Sequence, residues 1–90
     1  MADYLLDITN TADTYLHGLE KKFYKQVAAK VLSLMNNPYP NDSILLKGQK
    51  RKLHRVDIGE YRIVYSVVGN VVRVETIDKR NDSAVYKHLS

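Results

Sequence analysis

The 90-residue chain has no cysteine, which excludes a disulfide framework and a thiolate metal site and makes a reducing compartment acceptable. It has no apolar segment approaching the roughly 20 residues of a membrane span. Its N-terminus, MADYLLDITN, has neither the basic start nor the long apolar stretch of a secretory leader. The expected location is therefore the cytoplasm, with no membrane partner. None of the three histidines pairs with another at metal-ligand spacing, and no glycine-rich phosphate loop or Ser-His-Asp set stands out. No metal or nucleotide cofactor is expected. Repeats, low-complexity tracts and linkers are also missing, and a chain this short has room for one modest core, so residues 1–90 read as a single domain.

What is present is a globular pattern: 44% hydrophobic residues and 27% charged residues, with both signs interspersed. Fourteen Lys and Arg against ten Asp and Glu give a net charge of +4, a bias that assists binding to a polyanion. Its distribution says more than its sum. Between Lys47 and Arg55 stand five basic residues and no acid.

Asp3 to Ile8, carrying Tyr4, Leu5, Leu6 and Ile8, reads as a short first strand. Thr9-Asn10-Thr11 supplies N-cap oxygens for a helix through about His17, which Gly18 can end. A longer helix is expected from about Leu19 to Asn36, since Phe23, Val27, Val31 and Leu34 recur at spacings of four, four and three. Lys21, Lys22, Lys25 and Lys30 occupy much of its remainder, as on a solvated face. Asn37-Pro38-Tyr39-Pro40-Asn41-Asp42 stops the helix and makes a loop. From Leu53 the period becomes two. Leu53 to Ile58, Tyr61 to Val68 and Val71 to Asp78 read as three strands of an antiparallel meander, joined by the two-residue turns Gly59-Glu60 and Gly69-Asn70. The remainder, Asn81 to Ser90, reads as a short C-terminal segment. The fold class is α+β, with an N-terminal strand and two helices packed on a meander sheet.

Tight hairpins fix register. Ile58 should oppose Tyr61, Asp57 Arg62 and Val56 Ile63. Across the second turn Val68 should oppose Val71, Ser66 Arg73 and Val64 Glu75. One face then holds Val56, Ile58, Tyr61, Ile63, Tyr65, Val67, Val72 and Val74 against the helices, with His54 beside them as a structural histidine. The other face holds Arg55, Asp57, Arg62, Ser66, Arg73 and Glu75. Arg55 and Arg62 sit one diagonal step apart there, within reach of one phosphate, and Arg80 and Tyr86 follow the last strand. The bland alternative is a surface salt-bridge ladder, Asp57 with Arg62 and Arg73 with Glu75, with Tyr86 a packing aromatic.

The runs Leu46-Lys47-Gly48, His54-Arg55-Val56, Gly59-Glu60-Tyr61-Arg62-Ile63-Val64-Tyr65 and Lys79-Arg80-Asn81-Asp82-Ser83-Ala84-Val85-Tyr86 together resemble the RelE branch of the RelE/ParE toxin superfamily. The order of elements resembles that family over nearly the whole chain. The resemblance implies a ribosome-dependent messenger RNA endoribonuclease neutralised by a cognate, RelB-like antitoxin. It implies phosphate binding by Arg62, a general-acid or charge-stabilising role for Arg80, and a role for Tyr86 in orienting or deprotonating the nucleophile. Arg55 stands where the family often has lysine; a guanidinium stays protonated, so its expected role is charge stabilisation. Leu53 stands where a second lysine is common, and Lys50, Arg51 and Lys52 are its nearest substitutes. Lys47, Lys50, Arg51, Lys52, Arg73 and Lys79 are the expected RNA- or ribosome-binding residues. The implied reaction is attack of a ribose 2′-hydroxyl on the adjacent phosphorus, leaving a 2′,3′-cyclic phosphate, and it needs no metal if cations stabilise the phosphorane. Two rival readings share this architecture: a ParE-like DNA gyrase poison without nuclease chemistry, and a non-toxic nucleic-acid-binding module.

Overall fold

The computed structural model describes residues 3–48 and 50–80. The elements run β1 (Leu5–Ile8), α1 (Asn10–His17), α2 (Lys21–Ser33), β2 (Ile44–Leu46), β3 (Leu53–Ile58), β4 (Tyr61–Val68) and β5 (Val71–Lys79). The strands form one sheet in the order β1-β5-β4-β3-β2, in which β1 pairs with β5 in parallel and the other neighbours are antiparallel. The expected α+β architecture is borne out, with four differences of detail.

The second helix is shorter than its apolar stripe. Glu20 is its N-cap and Leu34 its C-cap, and the stripe continues through a tighter turn in which Leu34, Met35 and Asn36 donate to carbonyls three residues back. β1 starts at Leu5 rather than Asp3. A strand unseen in the sequence, β2, pairs Ile44 with Arg55, Leu45 with His54 and Leu46 with Leu53. Three residues carry no readable period, and two of these, Ile44 and Leu45, are exposed at the sheet edge. The fourth difference has the largest consequence: β5 carries a bulge, so Val64 opposes Thr76, not Glu75, while Tyr65 opposes Val74.

A bulge inserts one residue, and every later side chain changes face. Ile77, which a regular strand would turn to solvent, therefore opposes Ile63 and is buried in the core. The extra peptide needs partners, and Thr9 supplies one. Its hydroxyl donates to the Glu75 carbonyl oxygen at 2.7 Å and accepts from the Ala12 amide at 3.2 Å, so the side chain that caps α1 also ties down the bulge.

The two hairpins have the expected register next to their turns. Gly59 and Gly69 hold φ of +57° and +58° as the first residue of each turn, and their followers are not left-handed, the II′ pattern that suits twisted strands. Ala12 and Leu16 of α1, and Val27, Val31 and Leu34 at α2, pack on Val56, Tyr61, Ile63, Tyr65, Val72, Val74 and Ile77 of the sheet. Tyr65 is fully buried, and its hydroxyl donates to the Pro38 carbonyl at 2.7 Å, fastening the loop after α2. His54 lies on this side, stacked on Tyr65 with Tyr39 edge-on, as its structural reading expected. No helix among the described residues is long and apolar enough to cross a membrane.

Candidate functional site

With the helices covering one face of the sheet, chemistry is left to the other. Two clusters of charge occupy it. The first lies at the end of β3, β4 and β5 nearest the Gly59 turn. Asp57 and Arg62 are cross-strand partners, and Arg62 Nε stands 3.3 Å from Asp57 Oδ1. Arg80 follows β5; its amide donates to the Glu60 carbonyl at 2.7 Å, and its Nε lies 3.2 Å from Asp57 Oδ2. Its Nη1 donates to the Gly59 carbonyl at 3.4 Å. Arg80 reaches this face because of the bulge. In a regular β5 it would share the helix-packed side and Lys79 would take the solvent side. Instead Lys79 opposes Tyr61, whose ring is buried under the helices, so by register it shares that side.

Arg55 lies opposite Ile44 on one flank and Val64 on the other, diagonal to Arg62. Its Nε is buried and has no hydrogen-bond partner among the described residues. Such an orphan costs about 1–3 kcal/mol or more for a charged group, and calls for an explanation.

The second cluster centres on the bulge residue. Glu75 Oε2 accepts from Arg51 Nη1 at 3.0 Å and from the Ser66 hydroxyl at 3.0 Å, with Arg73 Nε at 3.6 Å. Burial pushes the Glu75 carboxyl up, but the bonds from Arg51 and Ser66 and the charges of Arg51 and Arg73 outweigh it, leaving the pKa below its ordinary value. Arg73 also approaches Asp7 at 3.7 Å. Arg51 and Arg73 are thus largely neutralised, whereas Lys47, Lys50 and Lys52 are exposed around the loop before β3.

Of the residues singled out in the sequence, the structure brings Arg55, Arg62 and Arg80 to one end of one face, sets Arg51 and Arg73 on Glu75, and puts Lys79 on the far side. Tyr86 lies outside the described residues. Both ion pairs of the salt-bridge alternative, Asp57 with Arg62 and Arg73 with Glu75, are present. Sequence reasoning missed that Asp57 serves two arginines. The only available signal was the nearness of Arg80 to the end of the meander, and the bulge decides its face. Among the described residues no group of three or more His, Asp or Glu could hold a metal ion.

No family model matches the sequence, and no curated protein matches it. Solved structures do. The chain is 27% identical to a protein in the archaeal RelE–RelB complex of Pyrococcus horikoshii OT3, with 88% of this chain and 97% of that one covered and a TM-score of 0.77. The isolated E. coli RelE toxin is 24% identical over 96% of this chain and 94% of its own, with a TM-score of 0.75. The E. coli RelE mutant bound to an antitoxin RelBc peptide gives a TM-score of 0.79 at 24% identity, covering 98% and 95%. A helix pair on a five-stranded mixed sheet with arginines gathered on its open face is therefore a RelE-type toxin fold. The chain has the fold of the RelE toxins, as the resemblance in its sequence implied.

Proposed function

We propose that the chain, taken as one toxin domain, is a ribosome-dependent messenger RNA endoribonuclease that blocks translation and is neutralised by a RelB-like antitoxin. The observation that carries this reading is the convergence of Arg62 and Arg80 at 3.3 and 3.2 Å on one carboxylate, beside Arg55, on the open face of a RelE-type fold. Three guanidinium groups within one patch suit a phosphodiester that gains charge as it becomes a phosphorane. Arg62 would grip the scissile phosphate, and Arg80 and Arg55 would stabilise the developing charge. A buried, unpaired Nε on Arg55 suits that task, since unsatisfied donors collect at functional sites. Tyr86 would orient or deprotonate the 2′-hydroxyl, the role that the sequence resemblance implies for it. Lys47, Lys50 and Lys52 present free charge for RNA or ribosome, while Arg51, Arg73 and Lys79 contribute at the margins.

A site with few candidate proton-transfer groups gains most from a partner that aligns its substrate, which fits cleavage on the ribosome. The RelE–RelB complexes from P. horikoshii and Mycobacterium tuberculosis support an antitoxin partner for this chain. Induced expression in bacteria, with messenger RNA ends mapped while translation runs and while it is blocked, tests the proposal. Translation-dependent cuts are expected, and Arg62→Ala should reduce them by about a hundredfold or more. Growth arrest with intact messages and DNA breaks would point instead to a gyrase poison, and unaffected growth to a non-toxic binding module.

A further inference from the structure

Asp57 has no part in the reaction just proposed, yet it is the group that Arg62 and Arg80 share. Each carboxylate oxygen meets a different guanidinium, Oδ1 that of Arg62 and Oδ2 that of Arg80. The two arginines come from separate places in the chain. Register sets one opposite Asp57 on β4, and the bulge turns the other onto the same face beyond β5. The Asp57 side chain is 31% exposed, so this is not a sealed structural pair, and solvent screens both contacts. An anion that offers separate oxygens to two planar, multiply donating cations is what a phosphodiester would be at the same place.

We propose that Asp57 is a resident stand-in for the RNA phosphate: a tethered counterion that keeps Arg62 and Arg80 at the spacing of a single anion and releases them when RNA enters. The inference rests on the phosphate site proposed above and makes Asp57 a positioning residue, not a catalytic one. It has two consequences. Without RNA one carboxylate offsets part of the site's positive charge, so free anions and stray polyanions must compete with a group that pays no translational entropy. With RNA, displacement requires contacts beyond one phosphate, such as those offered by Lys47, Lys50 and Lys52, so only a chain held along its length opens the site. The carboxylate therefore trades affinity for selectivity.

Binding of a fluorescent single-stranded DNA oligonucleotide, which lacks the 2′-hydroxyl and cannot be cut by this chemistry, tests the inference across a salt series. Asp57→Asn keeps the shape and removes the charge. It should bind about tenfold tighter at low salt, with a steeper salt dependence equal to one or two further phosphate contacts, about 0.7 in the logarithmic slope for each. Adding Arg80→Ala to Asp57→Asn should erase the gain. Thermal melts establish that the variants fold, and Asp57→Ala gives the same reading if the Asn variant melts below assay temperature. Unchanged or weaker binding by a folded Asp57 variant overturns the proposal. If Arg62→Ala weakens binding in the same assay, the phosphate site survives and only the role of Asp57 falls; if neither variant alters binding, both fall.

Discussion

His54 shows how a single side chain sets a pH limit on this fold. It lies between Tyr39 and Tyr65 on the helix-packed side, where burial, assisted by the charge of Lys52, lowers its pKa from 6.5. As pH falls, the unfolded chain takes up this proton before the folded one does. The His54 contribution to stability is therefore complete above about 6.5 and is lost as pH drops through the folded value. Glu75 acts in the same direction in a lower window, because its folded pKa is also depressed, here from 4.5. Urea denaturation followed from pH 7.5 to about pH 2.5 should show stability falling in two stages. His54→Phe, which keeps a ring in the stack, should flatten the upper stage and leave the lower one; equal loss near pH 6 in both proteins would assign that stage to another group.

The deciding element is the bulged strand β5, and the decisive contact comes from Thr9. One hydroxyl satisfies the bulge carbonyl and the first turn of α1, so its removal should cost more than an ordinary cap. Thr9→Val should lose about 2–4 kcal/mol, a cap of roughly 1 plus an orphaned carbonyl of about 1–3, whereas Thr9→Ser should retain most of it. Deleting Glu75 tests the geometry itself. Without the extra residue, Val74 and Thr76 become neighbours in a regular strand, so the pairing of Ile63 with Ile77 persists and Arg80 keeps the solvent face. The deletion should destabilise the protein little more than Glu75→Ala in the same denaturation assay; a much larger loss would mean that the bulged backbone and its Thr9 contact carry the stability, not the Glu75 side chain.

Across the whole molecule, charge is sorted by partner. Arg51 and Arg73 are committed to Glu75, and Lys30 bonds Asp42 at 2.9 Å. Lys47, Lys50 and Lys52 keep their charge exposed in the loop before β3. Removing one of these lysines should weaken single-stranded RNA binding and reduce the logarithmic salt slope by about 0.7, whereas Arg51→Ala should change it less because Glu75 already offsets that charge. Equal slopes for Lys52→Ala and Arg51→Ala would show that the Glu75 pairing does not persist in solution.

The sequence alone determined most of the local frame. Gly-first two-residue turns and period-two apolar residues specify β3, β4 and the start of β5, and hence place Arg55, Asp57 and Arg62 on one face, because a tight hairpin sets register without distant help. The stripe from Phe23 to Leu34 and the Thr9 cap specify the helices in the same local way. Short β2, the parallel pairing of β1 with β5, and the bulge were decided only by tertiary structure. Each depends on groups far apart in the chain: β2 on the edge of β3, β1 on strand β5, and the bulge on a Thr9 hydroxyl that reaches Glu75 across 66 positions. Arg80 faces Asp57 for that last reason. Its side is set by whether one extra peptide can find a hydrogen-bond partner, which no pattern in the neighbouring residues records.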